Sequence, residues 1–218
     1  MANKMQQQAA AQEQQVTKTE AFFEKNKKAI IGAVIAVIAI VVCAILANTY
    51  YFQPRQQTAS TELGKAQELF LEDKYEKALP LFQKVADEYG STDAGNLAQL
   101  YIGLCQANQG KWQEAVDALE RFSEKDDQMI TPAAIAALGQ AYANLNQMDK
   151  AVEILKKAAA KADNNSLSPT FLISAGEILE SQGKKDEALK LYQEVKEKYF
   201  NSMQYQTIDA YIERASAK

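Results

Sequence analysis

The chain has no histidine. The side chain that titrates nearest neutral pH is absent, and with it the commonest general base, metal ligand and triad partner. Two cysteines occur in 218 residues, Cys43 and Cys105. Cys43 stands inside an uncharged apolar run, so the two cannot pair and no disulfide framework is expected. Cys105 falls in an apolar helical segment and reads as a small core residue. A basic excess is also missing. The net charge is −4, and no basic patch with interleaved aromatics suggests nucleic-acid binding. Nothing in the composition calls for a metal or a cofactor.

Charge itself is missing between Lys28 and Arg55. The uncharged stretch 29–52, rich in Ile, Val and Ala, would span about 36 Å as a helix, against about 30 Å for the hydrocarbon core of a bilayer. Tyr50, Tyr51 and Phe52 close it, where an aromatic belt would sit. Pro54 is expected to end the helix. A cleaved export signal fits less well. The 28 residues ahead of the run are long for a signal's basic region, the run exceeds a signal core of about 7–15 residues, and no A-x-A follows it. Cys43 is preceded by Val42, where a lipoprotein cleavage site wants a small residue. Residues 29–52 are therefore read as an uncleaved transmembrane anchor.

Lys4, Lys18, Lys25, Lys27 and Lys28 precede the run, whereas only Arg55 and Lys65 lie close behind it. The positive-inside rule then puts the N-terminus in the cytoplasm and the rest outside it, in a bacterium the periplasm. Residues 1–16, Gln-rich and nearly featureless, are expected to be disordered. Residues 17–28 form a basic juxtamembrane segment. It fits either a short helix lying on the inner surface, with Phe22 and Phe23 at the acyl boundary, or a helical extension of the anchor.

The remainder repeats itself. Ala78, Ala115, Ala151 and Ala188 lie in "YEKALPLFQKV", "WQEAVDALERF", "MDKAVEILKKA" and "KDEALKLYQEV", spaced 37, 36 and 37 residues apart. An amphipathic segment precedes each, and three of these carry a glycine at the matching place: Gly103, Gly139 and Gly176. Small residues let two backbones approach, so contacts of Gly103 with Ala115, Gly139 with Ala151 and Gly176 with Ala188 are expected within helical hairpins. Phe82, Leu119, Leu155 and Tyr192, four residues past the alanines, share their face. Gly110 and Gly183 suit left-handed helix ends. The pattern predicts an all-α fold with hairpins at 58–90, 95–127, 131–163 and 168–202. A capping helix at 204–217 follows, inside a domain spanning 53–218.

These motifs resemble the tetratricopeptide repeat family. Their period exceeds the usual one of about 34 by two or three residues, and the excess falls in the loops "EYGSTDAG", "KDDQMITP" and "ADNNSLSP", where insertion is tolerated. The resemblance implies a helical solenoid that binds peptide segments or partner helices on a surface lined by the first helix of each hairpin. Carried over, that surface comprises Leu63, Gln67 and Phe70, then Leu97, Leu100 and Leu104, then Ala133, Ala136 and Gln140, and finally Thr170, Ile173, Glu177 and Glu180. It would be apolar in the middle and acidic toward the C-terminus. It lacks the Lys, Asn and Arg set with which some relatives hold a chaperone's terminal carboxylate. The same apolar residues also fit a face filled by the domain's own helices or by a second copy. In the anchor, Ala29, Ala33, Ala36, Cys43 and Ala47 form a heptad-spaced stripe interrupted by Ile40, and Gly32 pairs with Ala36. Such stripes permit close helix packing in lipid, although alanine is common in spans.

The overall layout resembles the family of ancillary subunits of the bacterial SecYEG translocon, in which an "FF-x-x-N-x-K" element precedes the membrane helix. Here it reads Phe22, Phe23, Asn26 and Lys28. That resemblance implies a non-enzymatic, single-pass inner-membrane protein on the periplasmic side of the translocon. It would work beside a membrane-anchored periplasmic prolyl isomerase, on nascent or extended polypeptides. The stretch "VADEYGSTDAGNLAQLYIGLCQANQGKWQEAV" also resembles periplasmic repeat proteins of outer-membrane assembly, so an envelope scaffold is the alternative. Acidic groups such as Asp126, Asp127 and Asp149 read as caps and exposed turn residues rather than as catalytic pairs.

Overall fold

The computed structural model describes the backbone of residues 2–217 and the side chains of residues 22–217. The chain divides into two units, Met1–Pro54 and Arg55–Lys218. Among the described residues there are helices and turns but no strand.

The first unit is helix α1, Ala2–Ala47, followed by a π-helical turn, Asn48–Phe52. The backbone is helical through residues 2–16, which the sequence reading expected to be disordered; Ala, Gln and Met there are good helix formers. Pro54 does not end the helix either. Gln53 keeps helical angles and its amide donates to the Asn48 carbonyl five residues back, so the wider π turn absorbs the break. Pro54 then stands second in α2, Gln53–Leu71, near a helix start where its missing N–H is tolerated. The apolar stretch has a mean hydropathy of 3.3 over its best window and none of that window is buried. By length and composition it can cross a membrane.

In the second unit, α2 pairs with α3 (Tyr75–Tyr89), α4 (Asp93–Asn108) with α5 (Trp112–Leu119), α6 (Ile130–Asn144) with α7 (Met148–Ala162), and α8 (Ser168–Ser181) with α9 (Lys185–Lys198). A 3₁₀ turn, Met203–Gln206, leads to α10, Ile208–Ser216. From α3 to α10 each helix packs on the next in the chain.

Every hairpin turns in the same way. Asp73, Gly110, Asn146 and Gly183 all take positive φ, from 57° to 76°. In the second hairpin the Gly110 amide bonds the Ala107 carbonyl and the Lys111 amide the Gln106 carbonyl, at 3.0 and 2.9 Å. The other three repeat this pair of bonds, which is the Schellman arrangement. Asp73 and Asn146 thus stand where the sequence reading placed only Gly110 and Gly183.

The repeating alanines are fully buried, as are Phe82, Leu155 and Tyr192, and Leu119 is 4% exposed. The close approaches within hairpins differ from expectation. A Cβ on Gly103 would lie 2.5 Å from Leu119 Cγ, one on Gly139 2.9 Å from Leu155 Cγ, and one on Gly176 2.3 Å from Tyr192 Cε1. Each glycine faces the large residue one turn beyond the alanine, so it makes room for a side chain. At Gly103 the Ala115 carbonyl also comes near, at 3.2 Å, as the repeat pattern expects. Cys105 is fully buried in the first core cluster, and burial pushes its thiol up to about 11, which keeps it protonated and inert.

The loops between hairpins are held by side-chain caps. Asp127 accepts from the amides of Met129, Ile130 and Thr131 and from the Thr131 hydroxyl at 2.6 Å. Desolvation would raise its carboxyl, but the Thr131 hydroxyl and the three amides outweigh that and hold it at about 2, below the ordinary 3.8. The cap's contribution is therefore full above the ordinary value and is lost as pH falls through about 2. Asp127→Ala is expected to cost about 1–2 kcal/mol at neutral pH, and its deficit against wild type should shrink as melts are repeated from pH 5 toward pH 2. Equal melts at pH 7 would remove the cap.

Candidate partner-binding surface

The expected surface runs along α2, α4, α6 and α8, and the structure divides it. Leu63, Leu100, Ala136 and Ile173 are 6–7% exposed and belong to the core clusters. They do not line an open apolar groove. Phe70 is half-buried and packs edge-on against Tyr75 and Tyr101, with ring centroids 5.2 Å away in both cases; Phe82 stacks on Tyr101 at 4.8 Å. Gln67, Leu97, Leu104 and Ala133 are half-buried, while Gln140, Thr170 and Glu177 are exposed. The burial has a simple cause. Each first helix meets its own hairpin partner and the next hairpin, so most of its apolar positions are used internally.

What remains open mixes polar and apolar side chains. A cleft of about 310 Å³ is lined by Gln140, Ala143, Asn144 and Met148 from α6 and α7, and by Ser174, Glu177, Ile178 and Ser181 from α8. The Asn144 amide donates to the Gln140 carbonyl at 2.9 Å and the Ser181 hydroxyl to the Ile178 carbonyl at 2.6 Å. The amide of Gln140 and the carboxylate of Glu177 face solvent above a floor of Ala143 and Ile178. Such a cleft can hydrogen-bond an extended backbone and take an apolar side chain against its floor. Asn144, Ser174, Ile178 and Ser181 were missed in the sequence, although 174, 178 and 181 share one helical face.

The acidic end is smaller than the sequence suggested. Glu180 accepts from Arg214 Nε at 3.1 Å and from the Tyr192 hydroxyl at 2.8 Å. The Arg214 bond lowers its carboxyl, burial opposes this, and Tyr192 adds to the lowering. Glu180 thus fastens α10 to the last hairpin and leaves Glu177 as the open carboxylate. An analogous tie joins Tyr142 to Glu120, with Lys150 Nζ 3.7 Å above the Tyr142 ring. Asp149 is bound by Lys184 and Gln182 of the next turn, at 2.6 and 3.0 Å. Among the described residues, no group of three or more Cys, Asp or Glu side chains is placed to hold a metal ion.

In the first unit, Ala29, Gly32, Ala33, Ala36, Cys43 and Ala47 are all exposed, and a Cβ on Gly32 would meet nothing within 4 Å. Phe22 and Phe23 stand edge to face at 6.2 Å, and the Asn26 amide bonds back to the Phe22 carbonyl at 2.9 Å.

No curated protein matches the chain. Solved structures similar to it share the repeat fold. One contains the nearly identical TPR-like repeats of a putative kinesin light chain from Podosopora anserina: 16% identity, TM-score 0.59, 73% of this chain and 86% of that one. MamA matches at 15% identity and TM-score 0.54 over 73% and 90%. YrrB, described as a TPR protein with an unusual peptide-binding site, matches at 20% identity and TM-score 0.52 over 71% and 79%. The family of tetratricopeptide repeat-like domains matches residues 20–213, nearly the whole chain, and with four hairpins turning on the same left-handed residue the protein belongs to that family.

Proposed function

We propose that this protein is a non-enzymatic, membrane-anchored repeat protein that acts beside the SecYEG translocon on the periplasmic face of a bacterial inner membrane. There it assists secreted or membrane proteins together with a membrane-anchored prolyl isomerase. The observation that carries the reading is the order of parts. An FF-x-x-N-x-K element on α1 is followed by an uncharged apolar stretch long enough to cross a membrane, and then by a repeat domain of the interaction-scaffold type. The lysine bias supports a cytoplasmic N-terminus. The cleft at Gln140, Asn144, Ser174 and Glu177 supports a peptide or extended chain as the bound species, and the exposed stripe from Ala29 to Ala47 supports a helix partner in the membrane.

A reporter fused after Lys218 should be active only if it works outside the cytoplasm. A photo-crosslinker at Ala36 or Gln140 should then give adducts with the translocon or with emerging chains. Cytoplasmic reporter activity would overturn the orientation and the translocon role together. Adducts confined to outer-membrane assembly factors would replace that role with the envelope scaffold, which the stretch 85–116 resembles.

A further inference from the structure

One junction between hairpins breaks the pattern of the repeat. Where the second hairpin meets the first, α4 carries Gln99 and Gln106 at two positions that the later first helices fill with apolar side chains. The repeat spacing puts Ile135 and Leu172 in the place of Gln99, and Tyr142 and Leu179 in the place of Gln106, and all four are buried. Ala118 of α5 likewise stands where α7 and α9 have Ile154 and Leu191. With the smaller residue there, a cleft of about 380 Å³ lies between α3 and α5, over the α4 helix on which both pack. Ala86, Ile102 and Ala118 supply its buried apolar lining. At the next junction the corresponding residues bridge the helices: Tyr142 bonds Glu120, and Lys150 and Lys157 pair with Glu120, at 4.0 Å, and with Glu124. The first junction has Asp87, Glu114 and Arg121 in the places of Glu124, Lys150 and Lys157, and among the described residues these three form no ion pair. The amide oxygens of Gln99 and Gln106 are buried and have no hydrogen-bond partner. An acceptor buried in that way costs stability that an apolar residue would not.

We infer that this cleft is a second binding site, for an extended polypeptide segment that presents an arginine side chain. Gln99 and Gln106 are two turns apart, about 10 Å along α4, which is the length of roughly three residues of extended chain. Amides at that spacing can both bond the main chain of one segment. Donors on the segment then supply the partner that the buried oxygens lack, once the amides turn toward the cleft. The charge of the lining is one-sided, with Asp87, Glu114 and Asp117 against Arg121 alone. Asp117 also accepts from Gln113 Nε2 at 2.9 Å, a neutral donor that leaves its charge in place. A guanidinium is planar and donates in a fixed fork, so it can lie on the apolar lining while its edge bonds a carboxylate. The cleft also has a direction. The Lys111 amide bonds the Gln106 carbonyl and Asn96 Nδ2 the Ser123 carbonyl, both at 2.9 Å. Glu114 therefore belongs to the Gln106 end and Arg121 to the Gln99 end, so the arginine of the segment belongs near Gln106, away from Arg121. The site lies between second helices and shares no residue with the cleft between α6 and α8. It does not depend on the reading of residues 29–52.

The test uses the full chain in detergent and a fluorescein-labelled, end-blocked heptapeptide of alanines with a central arginine. Binding is read by anisotropy against the same peptide with citrulline, which keeps the shape and loses the charge. The arginine peptide should bind several-fold more tightly. The double change Gln99→Ile and Gln106→Leu restores the residue types of the other repeats. It should weaken binding by roughly tenfold or more and keep or raise the melting temperature, because the unpaired oxygens are gone. Glu114→Gln should weaken the arginine peptide and leave the citrulline peptide unchanged. Equal binding of the two peptides, or unchanged binding in the double variant, would overturn the proposal. A lowered melt in the double variant would also overturn it, by giving the two amides a structural role. Loss of binding with Glu177→Gln in place of the double variant would move the peptide to the cleft between α6 and α8. Free spermidine binding as tightly as the arginine peptide would make the site one for small cations and overturn the extended segment.

Discussion

Replacing Leu100 with Glu is expected to lower the melting temperature of the 55–218 unit by roughly 10 °C or more. Leu100 is 7% exposed and sits in the central cluster with Ala115, Leu119 and Ala151. Its cluster neighbours are apolar, so the new carboxylate would be buried among side chains that cannot compensate its charge. An uncompensated buried charge costs about 3–5 kcal/mol, and the lost leucine contacts add to that. The comparison is Gln140→Glu, an exposed position on α6, which should leave the melt unchanged because a solvated charge costs little. If Leu100→Glu melts like wild type, Leu100 faces an open groove after all. Partner crosslinking should respond the other way: it should drop with changes at Gln140, Asn144 or Glu177 in a domain that remains folded.

The second large effect is expected at Gly176. A Cβ there would lie 2.3 Å from Tyr192 Cε1 and 2.9 Å from its hydroxyl. Tyr192 is fully buried and its hydroxyl is bonded to Glu180, the partner of Arg214, so the ring cannot swing aside without breaking its bond to the carboxylate that holds α10. Gly176→Leu should therefore loosen α10 as well as the last hairpin, beyond the ~1–3 kcal/mol usual for overpacking. Gly139→Leu should cost less, because the neighbour there is Leu155 at 2.9 Å, a flexible aliphatic chain. Melts of the two variants, with hydrogen exchange of the α10 amides, give the ranking. Equal melts, or an α10 that stays protected in Gly176→Leu, would show that the Tyr192–Glu180–Arg214 tie does not carry α10.

The sequence by itself determined the repeat, its register and the helical class. A spacing of 36–37 residues between small positions survives any detail of packing, because every hairpin solves the same close-approach problem. It also determined the apolar stretch 29–52, since length and lack of charge are properties of composition. Only the tertiary structure decided what each small residue faces. The nearest neighbours of Gly103, Gly139 and Gly176 are Leu119, Leu155 and Tyr192, with Ala115 also beside Gly103, because the rotation of one helix about its axis is set by the packed partner. The same reason explains the surface. Leu63, Leu100 and Ala136 share a helical face with residues that remain open, and periodicity shows a face without showing what covers it. The next hairpin covers those three and leaves Gln140, Asn144 and Glu177 exposed and Ser174 half-buried. Local rules failed in a similar way at Pro54, where a π turn absorbs the missing amide, and at Asp73 and Asn146, which take the left-handed turn that glycine was expected to reserve. In each case the chain had more than one local solution, and local propensity alone does not choose between them.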